Sequence, residues 1–136
     1  GIISIGNTFN KGGDYNEEAI NFINNLYAYD REVVFFKPTL ASDIQFRFDF
    51  NAALSYFVGG NSKYPEDSGF AIKGWNSIRW ENAGIKIDDN LAVFMGNYFF
   101  GLENEEELKV EYTIILKKID ENLKIILHDS HLPYKK

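Results

Sequence analysis

The sequence predicts an α+β fold: a cone-shaped, strongly curved antiparallel sheet with N-terminal helices packed on its concave side. Helical spacing of apolar residues dominates the chain as far as Gly59, and strand patterns follow in quick succession from Phe70 onward. The separators between those strands, Asp88-Asp89-Asn90, Glu103-Asn104-Glu105 and Asp120-Glu121-Asn122, are short and polar, as hairpin turns require. Helices first and a meander of strands second is an α+β order. A sheet curved in this way has an apolar mouth, a preferred place for small ligands.

Each element follows from local chemistry. Residues Ile2 to Phe9 read as the tail of a helix whose start is missing, broken by Gly12-Gly13. Asp14 with Glu17 three residues later forms a capping-box pattern. Behind it Ala19, Ile20, Phe22, Ile23, Leu26 and Tyr27 fall at helical spacing, so a second helix is expected to end near Tyr29. Glu32 to Phe36 is a short β-branched and aromatic run, read as a strand that Pro38 terminates. Thr39 to Phe46 reads as a loop. Asp49 to Phe57 places Phe50, Ala53, Leu54 and Phe57 on one helical face, stopped by Gly59-Gly60-Asn61. Phe70 to Ile87 reads as a strand or bent strand pair with a bulge at Gly84. Leu91 to Phe100 is apolar enough to be expected buried on both faces. In Glu107 to Lys118, residues Leu108, Val110, Tyr112, Ile114 and Leu116 share a face, and Leu123 to Leu132 is the last strand.

Composition narrows the function. With 136 residues and no break in composition, one domain spanning residues 1–136 is expected. Apolar residues make up 45% of the chain, enough for a sizeable core. Fourteen Lys+Arg against twenty Asp+Glu give a net charge of −6, which argues against nucleic acid or an anionic membrane as partner. No apolar run approaches the roughly 18 residues of a spanning helix. The chain has no Cys, so thiolate nucleophiles, thiolate metal sites and disulfides are out. It opens at Gly1 without Met, so an upstream stretch is expected to have been processed or omitted, leaving the compartment open between export, an organelle and the cytoplasm.

The two histidines, His128 and His131, are too few for a three-ligand zinc site, and on a strand a spacing of three sends them to opposite faces. The same alternation puts His128 and Ser130 on one face with Ile126, and Asp129 and His131 on the other. A histidine and a hydroxyl two apart can enter one pocket, and histidine suits proton transfer near neutral pH. No Walker loop, dinucleotide fingerprint or nucleophile elbow is present. Phe94, Tyr98, Phe99 and Phe100 read as core or as an oligomer interface, and Trp75 and Trp80 as sheet-packing residues with a pocket lining as the alternative.

Seven ordered segments suggest a family: FFKPT (Phe35–Thr39), ALSYFVGGN (Ala53–Asn61), PEDSGFAI (Pro65–Ile72), ENAGI (Glu81–Ile85), MGNYFF (Met95–Phe100), KVEYT (Lys109–Thr113) and LHDSHLPY (Leu127–Tyr134). Together they resemble the iota-class carbonic anhydrases, from about Gly12 to Tyr134. That family is related to the association domain of calcium/calmodulin-dependent kinase II and to nuclear transport factor two. The resemblance implies a cone-fold homodimer that interconverts CO2 and bicarbonate in a small apolar pocket. It implies no cofactor, although some members have been linked to manganese or zinc. It carries over a site of Thr39, Tyr56, His128 and Ser130, in which the hydroxyls of Thr39, Tyr56 and Ser130 orient water and bicarbonate and His128 accepts or relays the proton. The pocket is expected to be barely wider than a carbonate ion. The family's final His-His-Ser-Ser is His-Asp-Ser-His here, and both changes, Asp129 and His131, fall on the face turned away from the pocket. The competing readings are a non-catalytic ligand-binding or oligomerisation module of the same fold, and another small-molecule lyase or isomerase. A pocket much larger than a few atoms would favour a bulkier substrate.

Overall fold

The computed structural model describes residues 1–136. Helices α1 (Ile2–Asn10), α2 (Tyr15–Leu26) and α3 (Phe50–Val58) and strands β1 (Phe35–Lys37), β2 (Ser77–Asp88), β3 (Leu91–Gly101), β4 (Leu108–Ile119) and β5 (Asn122–His131) form an α+β fold. The five strands make one open sheet in the order β1-β5-β4-β3-β2. The helix starts are capped as their residues dictate. The Asp14 side chain accepts from Glu17 N at 3.0 Å, and Asp49 accepts from Ala52 N at 2.9 Å. Gly59 ends α3 at φ 72°, a conformation that favours glycine.

The sheet differs from the expected all-antiparallel one at its edge. The strand β1 runs parallel to β5, pairing Phe36 with His128 and Lys37 with Asp129. The chain between β1 and β5 is long enough for the crossover that a parallel pair needs. Of the expected Glu32–Phe36 run only Phe35 and Phe36 pair, the strand extends one residue further to Lys37, and Pro38 then stops the ladder. The expected Phe70–Ile87 strand also divides. Phe70 to Ile72 is a 3-10 turn set between Gly69 (φ 89°) and Gly74 (φ 95°), and pairing starts at Ser77.

The bulge in β2 falls next to Gly84, where Ala83 is the extra residue between the Asn82–Gly96 and Gly84–Met95 pairs. The glycine this bulge demands is Gly96 across the ladder, where a Cβ would lie 2.3 Å from the Glu81 carbonyl oxygen. The strand β3 is not buried on both faces. Ala92, Tyr98 and Phe100 face the core, whereas Met95 is 56% exposed, because no layer covers the sheet's outer side. Val110, Tyr112 and Ile114 of β4 are buried, as the alternation predicts. They meet Ile5, Ile23, Tyr27, Phe57 and Phe70 in one core between the helices and the inner face of the sheet.

A buried charge pair fixes the loop between β1 and α3. The Arg47 side chain has no exposed surface. Its guanidinium donates to Asp67 Oδ2 and Oδ1 at 2.7 and 2.8 Å, to Ala52 O at 2.9 Å and to Ile44 O at 2.9 Å. Ser55 Oγ donates to the same carboxylate at 2.6 Å, and the Tyr64 ring lies 4.3 Å from the guanidinium carbon. Beside it Glu66 accepts from the backbone N–H groups of Ser42 (2.7 Å) and Ile44 (2.8 Å), and these donors, with that of Asp43, pull its pKa down to about 2. Asp67→Ala leaves Arg47 buried without its hydrogen-bonded carboxylate, Glu66 Oε2 remaining only at 3.8 Å, so it is expected to lower the unfolding free energy by about 3 kcal/mol. Urea titration followed by tryptophan fluorescence measures this as a lower midpoint at unchanged slope.

Candidate active site

The strand β5 delivers the first half of the site. Ile126 is an extra residue in the ladder, between the Leu127–Ile115 and Ile125–Leu116 pairs. The bulge resets the alternation, so Ile125 rather than Ile126 lines the cavity beside His128 and Ser130. Asp129 and His131 point to the outer face, where His131 Nε2 lies 3.3 Å from Glu111 Oε1 and Nδ1 lies 3.6 Å from Asp129 Oδ2. Parallel pairing sets Phe36 beside His128, and their rings stack at 5.0 Å with an interplanar angle of 18°. Three residues further along the chain, past Pro38, lies Thr39. From the other side α3 contributes Tyr56, whose hydroxyl accepts from Leu40 N at 3.2 Å.

Thr39, Tyr56, His128 and Ser130 line one cavity of about 280 Å³. Its walls hold no Lys, Arg, Asp or Glu side chain. The cavity is larger than the expected cup barely wider than a carbonate ion. At about 30 Å³ per liquid water this equals the volume of roughly nine waters. The excess is apolar and comes from α1, α2 and β2, whose side chains in this region are mostly aliphatic or aromatic.

Two tyrosines that the sequence reading left out of the site, Tyr27 on the apolar face of the second helix and Tyr98 as core or oligomer interface, complete the polar end. The Tyr98 hydroxyl is hydrogen-bonded to Ser130 Oγ and lies 3.1 Å from His128 Nε2. The Tyr27 hydroxyl lies 2.8 Å from His128 Nδ1. The imidazole is thus held at both nitrogens. The only signal for these two in the sequence is the choice of Tyr over Phe in apolar runs, since a buried phenol needs a partner. Trp80, half exposed, lines the cavity as its alternative reading allowed. Trp75 instead packs on Phe70 and Phe100, with its indole N–H on Phe70 O at 2.8 Å.

Burial sets the electrostatics. It lowers the pKa of His128 to about 4, so the imidazole is neutral at physiological pH. It raises Tyr98 to about 12, against the opposing pull of hydrogen bonds from Ser130 and Thr39. Burial also raises Tyr56, opposed by the Leu40 N–H from which its hydroxyl accepts and by Thr39. Every polar group at this end is therefore an uncharged donor and acceptor. No cluster of three or more His, Asp or Glu side chains suited to a metal ion occurs in the fold.

This arrangement has known counterparts. The profile of the metal-independent carbonic anhydrase family matches residues 1–132. A metal-independent carbonic anhydrase of Nostoc sp. strain PCC 7120 is 37% identical, over 98% of this chain and 67% of its own length. The crystal structure of a cyanobacterial iota-carbonic anhydrase in complex with bicarbonate superposes with a TM-score of 0.94 at 36% identity, covering 99% of this chain and 85% of that one. The calcium/calmodulin-dependent protein kinase II association domain from Xanthomonas campestris shares the fold alone, with a TM-score of 0.55 and 22% identity over 90% of this chain and 84% of its own. The matched span takes in the cone-like sheet, the helices on its inner face and the whole cavity lining, and on that ground the chain belongs to the metal-independent carbonic anhydrase family.

Proposed function

We propose that the polar end of the cavity hydrates CO2 to bicarbonate and a proton, with Thr39, Tyr56, Tyr98 and Ser130 holding the reacting water and the bicarbonate oxygens and His128 moving the proton. The observation that carries this reading is the joined set Ser130–Tyr98–His128–Tyr27, buried at the floor of an apolar cavity.

Hydration requires a water oxygen to bond to the CO2 carbon while one of its protons leaves. With no metal to acidify that water, positioning and hydrogen bonding supply the rate. Hydroxyls suit the task because each can rotate between donating to a bicarbonate oxygen and accepting from water. A neutral imidazole accepts at one nitrogen and donates at the other. When Nε2 accepts from Tyr98, the Tyr98 oxygen is free to accept from Ser130, and Nδ1–H donates to Tyr27. A proton passed from Tyr98 to Nε2 is matched by one passed from Nδ1 to the Tyr27 oxygen, whose own O–H proton leaves to water in the cavity that Tyr27 lines, so the ring need not stay ionised. A pKa of about 4 suits such a relay better than it suits a base that stores the proton. With no charged side chain in the walls, the polar end holds the bicarbonate anion by neutral dipoles only, which favours its release.

The outer face of the sheet supports a homodimer. Phe35, Phe46 and Phe48 are all about half exposed and form a groove with Thr113, Leu127 and Asp129. Asp129 Oδ1 is buried there with no hydrogen-bond partner in the chain. A second copy on this face would cover the aromatics and offer that oxygen a donor.

Three outcomes are expected. Tyr56→Phe and Ser130→Ala each lower kcat/KM for CO2 hydration on the order of 10²-fold in a stopped-flow indicator assay, with far-UV circular dichroism unchanged. His128 makes stability depend on pH. Its folded pKa of about 4 lies below the unfolded 6.5, so the unfolded chain binds more protons in that window and stability falls as the solution is acidified. Urea unfolding at pH 7 and pH 4 reads a loss of about 3 kcal/mol from this group, and His128→Gln removes that part of the slope. Light scattering gives twice the chain mass for the wild type and one chain mass for a Phe46→Glu, Phe48→Glu double variant.

A further inference from the structure

The cavity is several times larger than the reaction proposed for it needs. Bicarbonate has four non-hydrogen atoms, and the hydroxyl cluster at the polar end already accounts for its contacts. The remaining wall is built by Ile2, Ile3, Phe22, Leu26, Ile78 and Trp80, none of which offers a formal charge. Apolar space of this kind holds water poorly. A cavity of about 150 Å³ lined by aliphatic and aromatic side chains stays dry and takes up benzene. A volume of about 280 Å³ therefore has room for one planar carboxyl group and one six-membered ring together.

We propose that this apolar arm is a binding site for a flat hydrocarbon group, so that arenecarboxylic acids of the benzoic acid class bind across the cavity, carboxyl group on the hydroxyl cluster and ring against the α1, α2 and β2 side chains. The assignment of the carboxyl end rests on the reading given under Proposed function. Benzoate is bicarbonate with its hydroxyl group replaced by phenyl, and the planar CO2 unit with its two acceptor oxygens is retained. Thr39, Tyr56, Tyr98 and Ser130 present the same donors to either ion. The ring then extends away from the polar end, where bicarbonate has only an O–H. Both acids carry the same single negative charge, so charge alone gives neither acetate nor benzoate an advantage. The difference between the two reports on the arm. The site thus takes small carboxylates in proportion to the apolar surface they bring, and a bound arenecarboxylate excludes bicarbonate.

Isothermal titration calorimetry with sodium acetate and sodium benzoate, at equal pH and ionic strength, tests this. Benzoate is expected to bind at least about tenfold tighter than acetate, since the ring buries apolar surface that a methyl group does not. Added bicarbonate raises the apparent Kd of benzoate. Leu26→Trp fills the arm from a position that is 41% exposed, so a larger side chain is accommodated. It is expected to weaken benzoate about tenfold while acetate binding and CO2 hydration stay within about twofold. Should that variant not fold, nuclear Overhauser contacts from the benzoate ring protons to the methyl groups of Ile2, Ile3 and Ile78 in the wild type give the same answer. Equal affinity for the two acids, or a ring that shows no contact with those methyl groups, overturns the proposal. Benzoate binding in a protein that does not hydrate CO2 supports the arm and removes the hydration reading. CO2 hydration with no preference for benzoate over acetate does the reverse.

Discussion

The polar end of the cavity depends on how one buried cation is neutralised. Arg47 has no contact with solvent, and its guanidinium joins its own loop and the start of α3 to Asp67, twenty residues further along the chain. It holds Asp67 from the turn before the 3-10 segment, Ala52 O from the first turn of α3 and Ile44 O from its own loop. Its backbone N–H donates to Phe36 O at 2.7 Å, and its carbonyl accepts from the Tyr29 hydroxyl at 2.7 Å. A buried ion pair adds little net stability, because both charges lose their hydration. Its contribution here is position. The segment carrying Thr39 has no regular structure of its own, and α3, which carries Tyr56, is only nine residues long. Glu66 extends the clamp by accepting from successive loop N–H groups, and its low pKa records how strongly that loop favours the carboxylate.

Sheet irregularities matter as much as the regular ladder. A strand of strict alternation would turn Ile126 inward with His128 and Ser130. The extra residue at Ile126 turns Ile125 inward instead, without moving the histidine and the serine from the inner face. The Ala83 bulge on the opposite edge adds twist and bends β2, and it needs Gly96 beneath it because no side chain fits against the Glu81 carbonyl. Curvature from these two places lets a five-stranded open sheet wrap around a cavity rather than pack flat against the helices.

Much of this was legible in the residues. Helix starts at Asp14 and Asp49, the stop at Gly59, the long alternating strand at Leu108–Ile119 and the inward pairing of His128 with Ser130 all follow from local rules that tertiary structure did not override. The parallel pairing of β1 was hidden because a three-residue strand carries no directional pattern. Its partner is chosen by which sheet edge is free. The Arg47–Asp67 pair was hidden for a similar reason, since nothing in Phe46-Arg47-Phe48 marks the middle residue as buried rather than solvated. Tyr27 and Tyr98 looked like core because in large part they are core. Only the hydroxyl at the end of each ring, aimed at opposite nitrogens of one imidazole, distinguishes them from phenylalanine. Cavity size is not a sequence property at all. It is the small difference between side-chain volumes and the space the backbone encloses.

The same desolvation that makes the cavity hospitable to CO2 dictates what kind of group can work in it. An uncharged, linear, weakly hydrated molecule enters an apolar space at little cost, whereas a free carboxylate or ammonium side chain there would shift its pKa until it became neutral. His128 has gone that way: it is neutral because it is buried. On the proposed reading this is no defect. A charged base at the floor would bind the product bicarbonate or its counterion too well, and each turnover would then wait on release. A set of neutral hydroxyls and one neutral imidazole can reverse their donor and acceptor roles with the reaction. They fit both sides of an interconversion that must run in either direction.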